Sequence, residues 1–177
     1  AMSHSGEGLQ SLTARKVATK PTVDGKFDES WWDWCPPVTF KKHAGPAAEE
    51  PARYVTELRS GWTLDGIAFA FQLQEPNVEA LNVGLHGRDE GALWFEDNVE
   101  IFLDVSGENQ GPLYQYIVTA TPTLFDSKDQ DRTWNSPGIE YAVRKADDHW
   151  TVEVWIPYSD IEAEGWVKPG TGARWNG

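Results

Sequence analysis

The sequence predicts an all-β domain, an antiparallel β-sandwich with minimal helix. Three observations predict it: short runs in which apolar and polar residues alternate, two pairs of such runs joined by tight turns, and almost no helical periodicity. At 177 residues the chain suits one domain with a substantial core. The opening Ala1 to Gly8 has no pattern and is read as a cloning remnant or disordered tail. The sandwich is assigned to residues 9–177, with its C-terminal end expected to be truncated.

In chain order, Asp28 stands where it can N-cap a short turn through Ser30, Trp31, Trp32 and Trp34, stopped by Pro36 and Pro37. His43 to Ala52 reads as a loop. Tyr54 to Trp62 is a strand, Thr63 to Gly66 a turn, and Ile67 to Gln74 a returning strand with large apolar residues at 67, 69, 71 and 73. Asn98 to Asp104 sets Val99, Ile101 and Leu103 on one face and Asn98, Glu100, Phe102 and Asp104 on the other. After a loop at Ser106 to Pro112, Tyr114 to Thr121 splits Gln115, Ile117 and Thr119 from Tyr114, Tyr116 and Val118. Ile139 to Lys145 and His149 to Ile156 flank Ala146, Asp147 and Asp148 as a second hairpin that Pro157 closes. Val152, Val154 and Ile156 point inward; Thr151, Glu153 and Trp155 point away. A helical turn is expected from Ser159 through Ile161 to Ala163, and the Gly-rich Glu162 to Gly177 resembles the approach to a further strand.

Ten tryptophans are more than one core of this size readily hides, because each indole brings an N–H that needs a partner. Some should line a surface. A formal net charge of −13, with 15 basic residues and no dense basic cluster, disfavours nucleic acid and anionic membrane. Exposed indoles among carboxylates and amides suit a neutral, polyhydroxylated guest with apolar faces, such as a sugar ring. No run approaches a membrane span, and Cys35 is the single cysteine, so no disulfide forms within the chain.

Four segments carry a family resemblance. Pro21 to Trp31 is similar to an opening P-x-I-D-G-x-x-D-E-x-W, and Trp94 to Asp104 to a central W-x-x-D-x-V-E-I-F-x-D. Tyr116 to Asp126 is similar to the strand and turn that follow, and Trp150 to Pro157 to W-x-x-E-x-x-I-P. In this order, over roughly residues 17–161, they resemble family 9 carbohydrate-binding modules. The resemblance implies a DOMON-like sandwich, secreted to an extracellular or periplasmic setting and attached to a carbohydrate-active catalytic domain. It also implies structural calcium, and a sugar held between two tryptophans. Trp94 matches the first of those, and Glu100 a carboxylate that bonds the sugar. Ile117 and Thr119 stand where the family has an Arg and an Asn, and the second tryptophan comes from a stretch with no counterpart here.

Candidate residues follow. Trp94 is either a stacking platform or a plug at the sandwich end. Glu100 is a hydrogen-bond acceptor for sugar hydroxyls or a surface glutamate. Asp97 belongs to the same rim or a cation site, and Trp134, in a polar loop, is a further ligand contact. At least two of Trp31, Trp32 and Trp34 are assigned to the core. Trp155 is out of phase with its strand's core face and fits a packed second layer or a ligand contact. Asp126, Asp129 and Asp131, and likewise Asp104 and Glu108, offer loop oxygens but read first as solvated turns, so calcium rests on resemblance alone. His43, His86 and His149 are isolated, the nucleophile-elbow, zinc-helix and phosphate-loop motifs are absent, and the single Met2 leaves haem without a methionine ligand. The expectation is a non-catalytic module that binds a neutral oligo- or polysaccharide through Trp94, Glu100, Asp97 and Trp134. Alternatives are an interaction domain that has lost its sugar site, a haem-binding domain, and a small glycan-acting enzyme.

Overall fold

The computed structural model describes residues 10–41, 52–90, 93–107, 111–162, 165–170 and 172–175. Nine strands form two sheets. They are β1 (Arg15–Lys16), β2 (Val38–Thr39), β3 (Thr56–Trp62), β4 (Gly66–Gln74), β5 (Asn98–Asp104), β6 (Leu113–Thr119), β7 (Leu124–Lys128), β8 (Glu140–Lys145) and β9 (His149–Pro157), followed by one helical turn, α1 (Tyr158–Ile161). The larger sheet runs β1-β3-β4-β9-β8, with β2 also on β3; the smaller runs β5-β6-β7. All pairings are antiparallel except β1 with β3. No helix among the described residues is long and apolar enough to cross a membrane.

Alternation fixes the core. Phe69 and Phe71 of β4 and Val152, Val154 and Ile156 of β9 face Val99, Ile101 and Leu103 of β5 and Tyr114, Tyr116 and Val118 of β6. The predicted strands return with one or two residues moved at their ends. β7 is an addition: Leu124 to Lys128 is too short and polar to stand out, and it becomes a strand by pairing with β6. The turn at Ser30–Trp34 is a 3-10 helix whose N-cap residue is Glu29, not Asp28, and no side chain caps it. Glu29 Oε1 instead accepts the Thr22 N–H at 2.6 Å. No strand follows α1 among the described residues. There Trp166 and Trp175 lean on Tyr158, with ring centroids 5.8 and 5.9 Å away, and the Val167 N–H reaches the Val105 carbonyl at 2.8 Å.

The outer face of the larger sheet carries a second, smaller core. Small residues at Ala68 and Ala70 leave room for Trp31, Trp32 and Trp155, which pack there with Val17 and Cys35. Trp31 and Trp32 lie 4.2 Å apart by ring centroid. Gly61 is a seat for this layer: a Cβ on it would stand 2.8 Å from Trp31 Cζ3. Trp155 is thus the packed second layer, and Trp31 and Trp32 are core. Trp34, at 74% exposure, is not.

Glu153 ties this layer to its sheet. It is fully buried, and its Oε2 accepts the N–H groups of Asp24 and Gly25, both at 3.0 Å. Thr151 Oγ donates to the Gly25 carbonyl at 2.7 Å. Gly25 has φ +76°, a left-handed conformation that other residues adopt only with strain. Burial pushes the Glu153 carboxyl up to about 7, against the two backbone N–H groups that favour its charged form.

Candidate functional site

The outer face of the smaller sheet is where the sequence placed its ligand residues. One cross-strand row reads Glu100, Ile117, Phe125; the next reads Phe102, Gln115, Ser127. Leu93 folds down onto Ile117 and Phe125, making a small buried patch. Above it, a 3-10 turn at Leu93–Phe95 lifts Trp94 and Phe95 into solvent, 40% and 75% exposed.

That turn is held by amides and one carboxylate. Asn98 Nδ2 donates to the carbonyls of Leu93 and Glu96, at 3.1 and 2.7 Å. Asn82 Nδ2 donates to the Phe95 carbonyl at 2.9 Å. Asp97 Oδ2 accepts the Asn82 N–H at 2.6 Å, and the Asn82 carbonyl takes the Asp97 N–H at 2.8 Å. Asp97 is therefore a clamp between the 81–87 segment and the start of β5. His86 Nε2 lies 2.7 Å from Glu96 Oε1, a further tie across the same segment.

Trp94 meets Phe125 edge to face, centroids 6.3 Å apart at 80°. Glu100 is exposed and accepts from Gln115 Nε2 at 2.6 Å; Gln115 Oε1 in turn accepts from Ser127 Oγ at 3.1 Å. The result is a line of polar groups across three strands, beside aromatic rings. Phe102, 39% exposed, flanks it. Two hollows, of about 290 and 540 Å³, lie elsewhere: one beside Gly25, Arg144 and His149, the other beside Pro37, Thr39 and Phe40. The candidate site is a surface platform, and an exposed indole beside oriented acceptors suits the flat face of a sugar.

Of the four sequence-predicted contacts, Trp94 and Glu100 share this face, and Asp97 supports it from behind. Trp134 does not join them. It packs on Tyr114 and Tyr116, 5.4 and 6.2 Å between centroids, and both tyrosines face the core between the sheets. Gln115 and Arg132 are additions. Gln115 shares Glu100's outward phase, a signal that becomes usable only once the β5–β6 register is known. Arg132 sits in a loop and stacks over Trp94 and Phe125, 5.1 and 5.5 Å from the ring centroids; no local pattern announces it.

The positions where the resemblance leads to an Arg and an Asn give a ligand little. Ile117 and Thr119 are both fully buried. The calcium candidates are also committed. Asp126, fully buried, is bound by Arg88 Nη2 at 2.9 and 2.8 Å and by the Ser136 N–H at 2.6 Å. Asp129 Oδ1 accepts the Leu113 N–H at 2.8 Å, and Asp131 Oδ1 the Thr133 N–H and hydroxyl at 2.9 and 2.7 Å. Asp104 Oδ1 accepts from Ser106, and Glu108 and His43 lie outside the described residues. Among the described residues no three Asp, Glu, His or Cys side chains gather as a metal group.

Solved structures that resemble this fold include two of one protein. Both are of a family 9 carbohydrate-binding module from Caldicellulosiruptor kristjanssonii, one in complex with cellotriose and one with glucose. The first matches at 18% identity and TM-score 0.58, over 82% of this chain and 67% of that one. The second matches at 18% identity and TM-score 0.60, over 89% and 72%. A comparison with curated proteins finds no match. The model of the carbohydrate family 9 binding domain-like family matches residues 23–172, which takes in every strand but β1 and includes the Trp94 platform. The chain belongs to that family, one of non-catalytic carbohydrate-binding modules.

Proposed function

We propose that the outer face of the smaller sheet binds a neutral glycan. One hexose stacks on Trp94, while Glu100 and Gln115 orient its hydroxyls. The observation that carries this reading is Trp94 itself: on a domain that buries Trp31, Trp32 and Trp155, this indole is held 40% exposed on the same face as the exposed Glu100 and its half-buried partner Gln115. Family membership supports it, as do the glucose and cellotriose of the structural relatives. Axial C–H groups of the ring meet the indole face, and the area removed from water contributes on the order of 1–2 kcal/mol. A charge-assisted bond to Glu100 adds specificity. An open site of this kind gives micromolar to millimolar affinity in order of magnitude. In this reading the module works outside the cytoplasm, keeping an attached carbohydrate-active enzyme close to its polysaccharide.

Calorimetry with glucose and cellotriose tests it. Trp94→Ala is expected to abolish binding while leaving thermal unfolding nearly unchanged. Equal affinity in the two proteins would end the proposal. A second reading, an interaction domain whose sugar site is lost, draws on the burial of Ile117 and Thr119. A glycan array with no hit on any neutral glycan would favour it.

A further inference from the structure

Arg132 is the one cation stacked on the Trp94 platform, and its charge is unspent. It is exposed, and among the described residues no carboxylate pairs with it and no acceptor takes its N–H groups; its contacts are the faces of Trp94 and Phe125. The placement is built by the backbone. β7 ends in a two-residue reversal in which Asp129 and Gln130 both have positive φ, 53° and 67°. The Asp131 N–H bonds the Lys128 carbonyl at 2.9 Å and the Lys128 N–H bonds the Asp131 carbonyl at 3.3 Å. The neighbouring Asp131 carboxylate is turned away, accepting from Thr133, and those bonds hold it below the usual carboxylate range. Trp134 then anchors the strap on Tyr114 and Tyr116. The strap therefore crosses the β7 edge with Trp134 turned in and Arg132 turned out.

Resting on the sugar-face reading above, we infer that Arg132 is a specificity-determining contact: its guanidinium donates to hydroxyl oxygens of the hexose stacked on Trp94, opposite Glu100, which accepts. Glu100 and Phe125 share one cross-strand row with Ile117 between them, so their backbones stand about two strand spacings apart, roughly 10 Å, and Arg132 lies over the Phe125 end of that row. One sugar ring with its hydroxyls bridges that gap. A hydroxyl both donates and accepts, so a neutral sugar satisfies both ends.

The test is calorimetry with glucose, cellotriose and a set of monodeoxy glucosides on the parent chain, Arg132→Ala, Arg132→Lys and Trp94→Ala. Arg132→Ala should weaken glucose and cellotriose by roughly ten- to a hundredfold, and Arg132→Lys should recover only part of that, because an ammonium lacks the planar fork. At least one deoxy position that weakens binding to the parent should cost Arg132→Ala nothing further, an effect that a merely structural role would not produce. Arg132→Ala binding as tightly as the parent, or more tightly, while Trp94→Ala has lost binding would overturn the assignment and leave the platform standing. Loss of no affinity in Trp94→Ala would remove the platform, and Arg132 with it.

Discussion

The two outer faces of this sandwich spend the same residue in opposite ways. On the larger sheet, tryptophans 31, 32 and 155 are pressed against Ala68 and Ala70 by the N-terminal segment and reach 7%, 2% and 4% exposure. On the smaller sheet Trp94 keeps 40% exposure beside exposed Phe95, with only the Arg132 guanidinium stacked over its ring among the described residues. Tryptophan chemistry is common to both faces. The difference is how completely the chain covers them. A covered indole stabilises the fold; a bare one is left to a ligand. The covered face bears its own costs: the Nε1 groups of Trp31 and Trp32 have no hydrogen-bond partner, and Glu153 is held in the interior.

The sharpest way to break this comparison is to truncate one indole from each face. Trp32→Ala should cost about 3–5 kcal/mol of stability, as large core truncations do, and chemical denaturation would read it. Trp94→Ala should cost about 1 kcal/mol or less and remove sugar binding. Similar stability losses in the two variants would mean that both faces are structural.

Next comes pH. Glu153 in the folded chain titrates near 7, above the ordinary 4.5. The folded state then binds the extra proton between those values. Its contribution is fully present below 4.5 and is lost as pH rises through about 7, on the order of 3 kcal/mol. Thermal midpoints should fall between pH 5 and pH 8, and Glu153→Gln should flatten the slope. A slope unchanged in that variant would assign the pH dependence to other groups.

Gly61→Ala sharpens the comparison further. Its new Cβ would press on Trp31, which is buried and cannot retreat, for a loss of about 1–3 kcal/mol with sugar affinity untouched. The smallest effect is expected from Glu100→Gln: stability unchanged, and affinity down by about tenfold, the worth of one charge-assisted bond over a neutral one. An affinity unmoved in Glu100→Gln would shift the hydroxyl-orienting role to Gln115 and Arg132.

Strand positions and faces were legible in the sequence because a two-residue period is local. Val99, Ile101 and Leu103 against Glu100, or Val154 against Trp155, declare their sides without knowing any partner. Residues whose role depends on distant chain were not. Trp134 reads as a polar-loop indole until Tyr114 and Tyr116 are seen beneath it. Glu153 reads as an outward strand glutamate, yet the segment that buries it lies 128 and 129 positions earlier. Leu124 to Lys128 has no strand signature apart from the β6 edge it joins.

By itself, then, the sequence determined the alternating strands, the two hairpins, the family's four segments and the outward phase of Glu100. Only the tertiary structure decided which tryptophans are roofed over, that Asp97 is a clamp, and that Arg132 comes to rest on Trp94. The physical reason is range: periodicity and turn chemistry act over a few residues, whereas burial is set by whichever remote segment packs against a face.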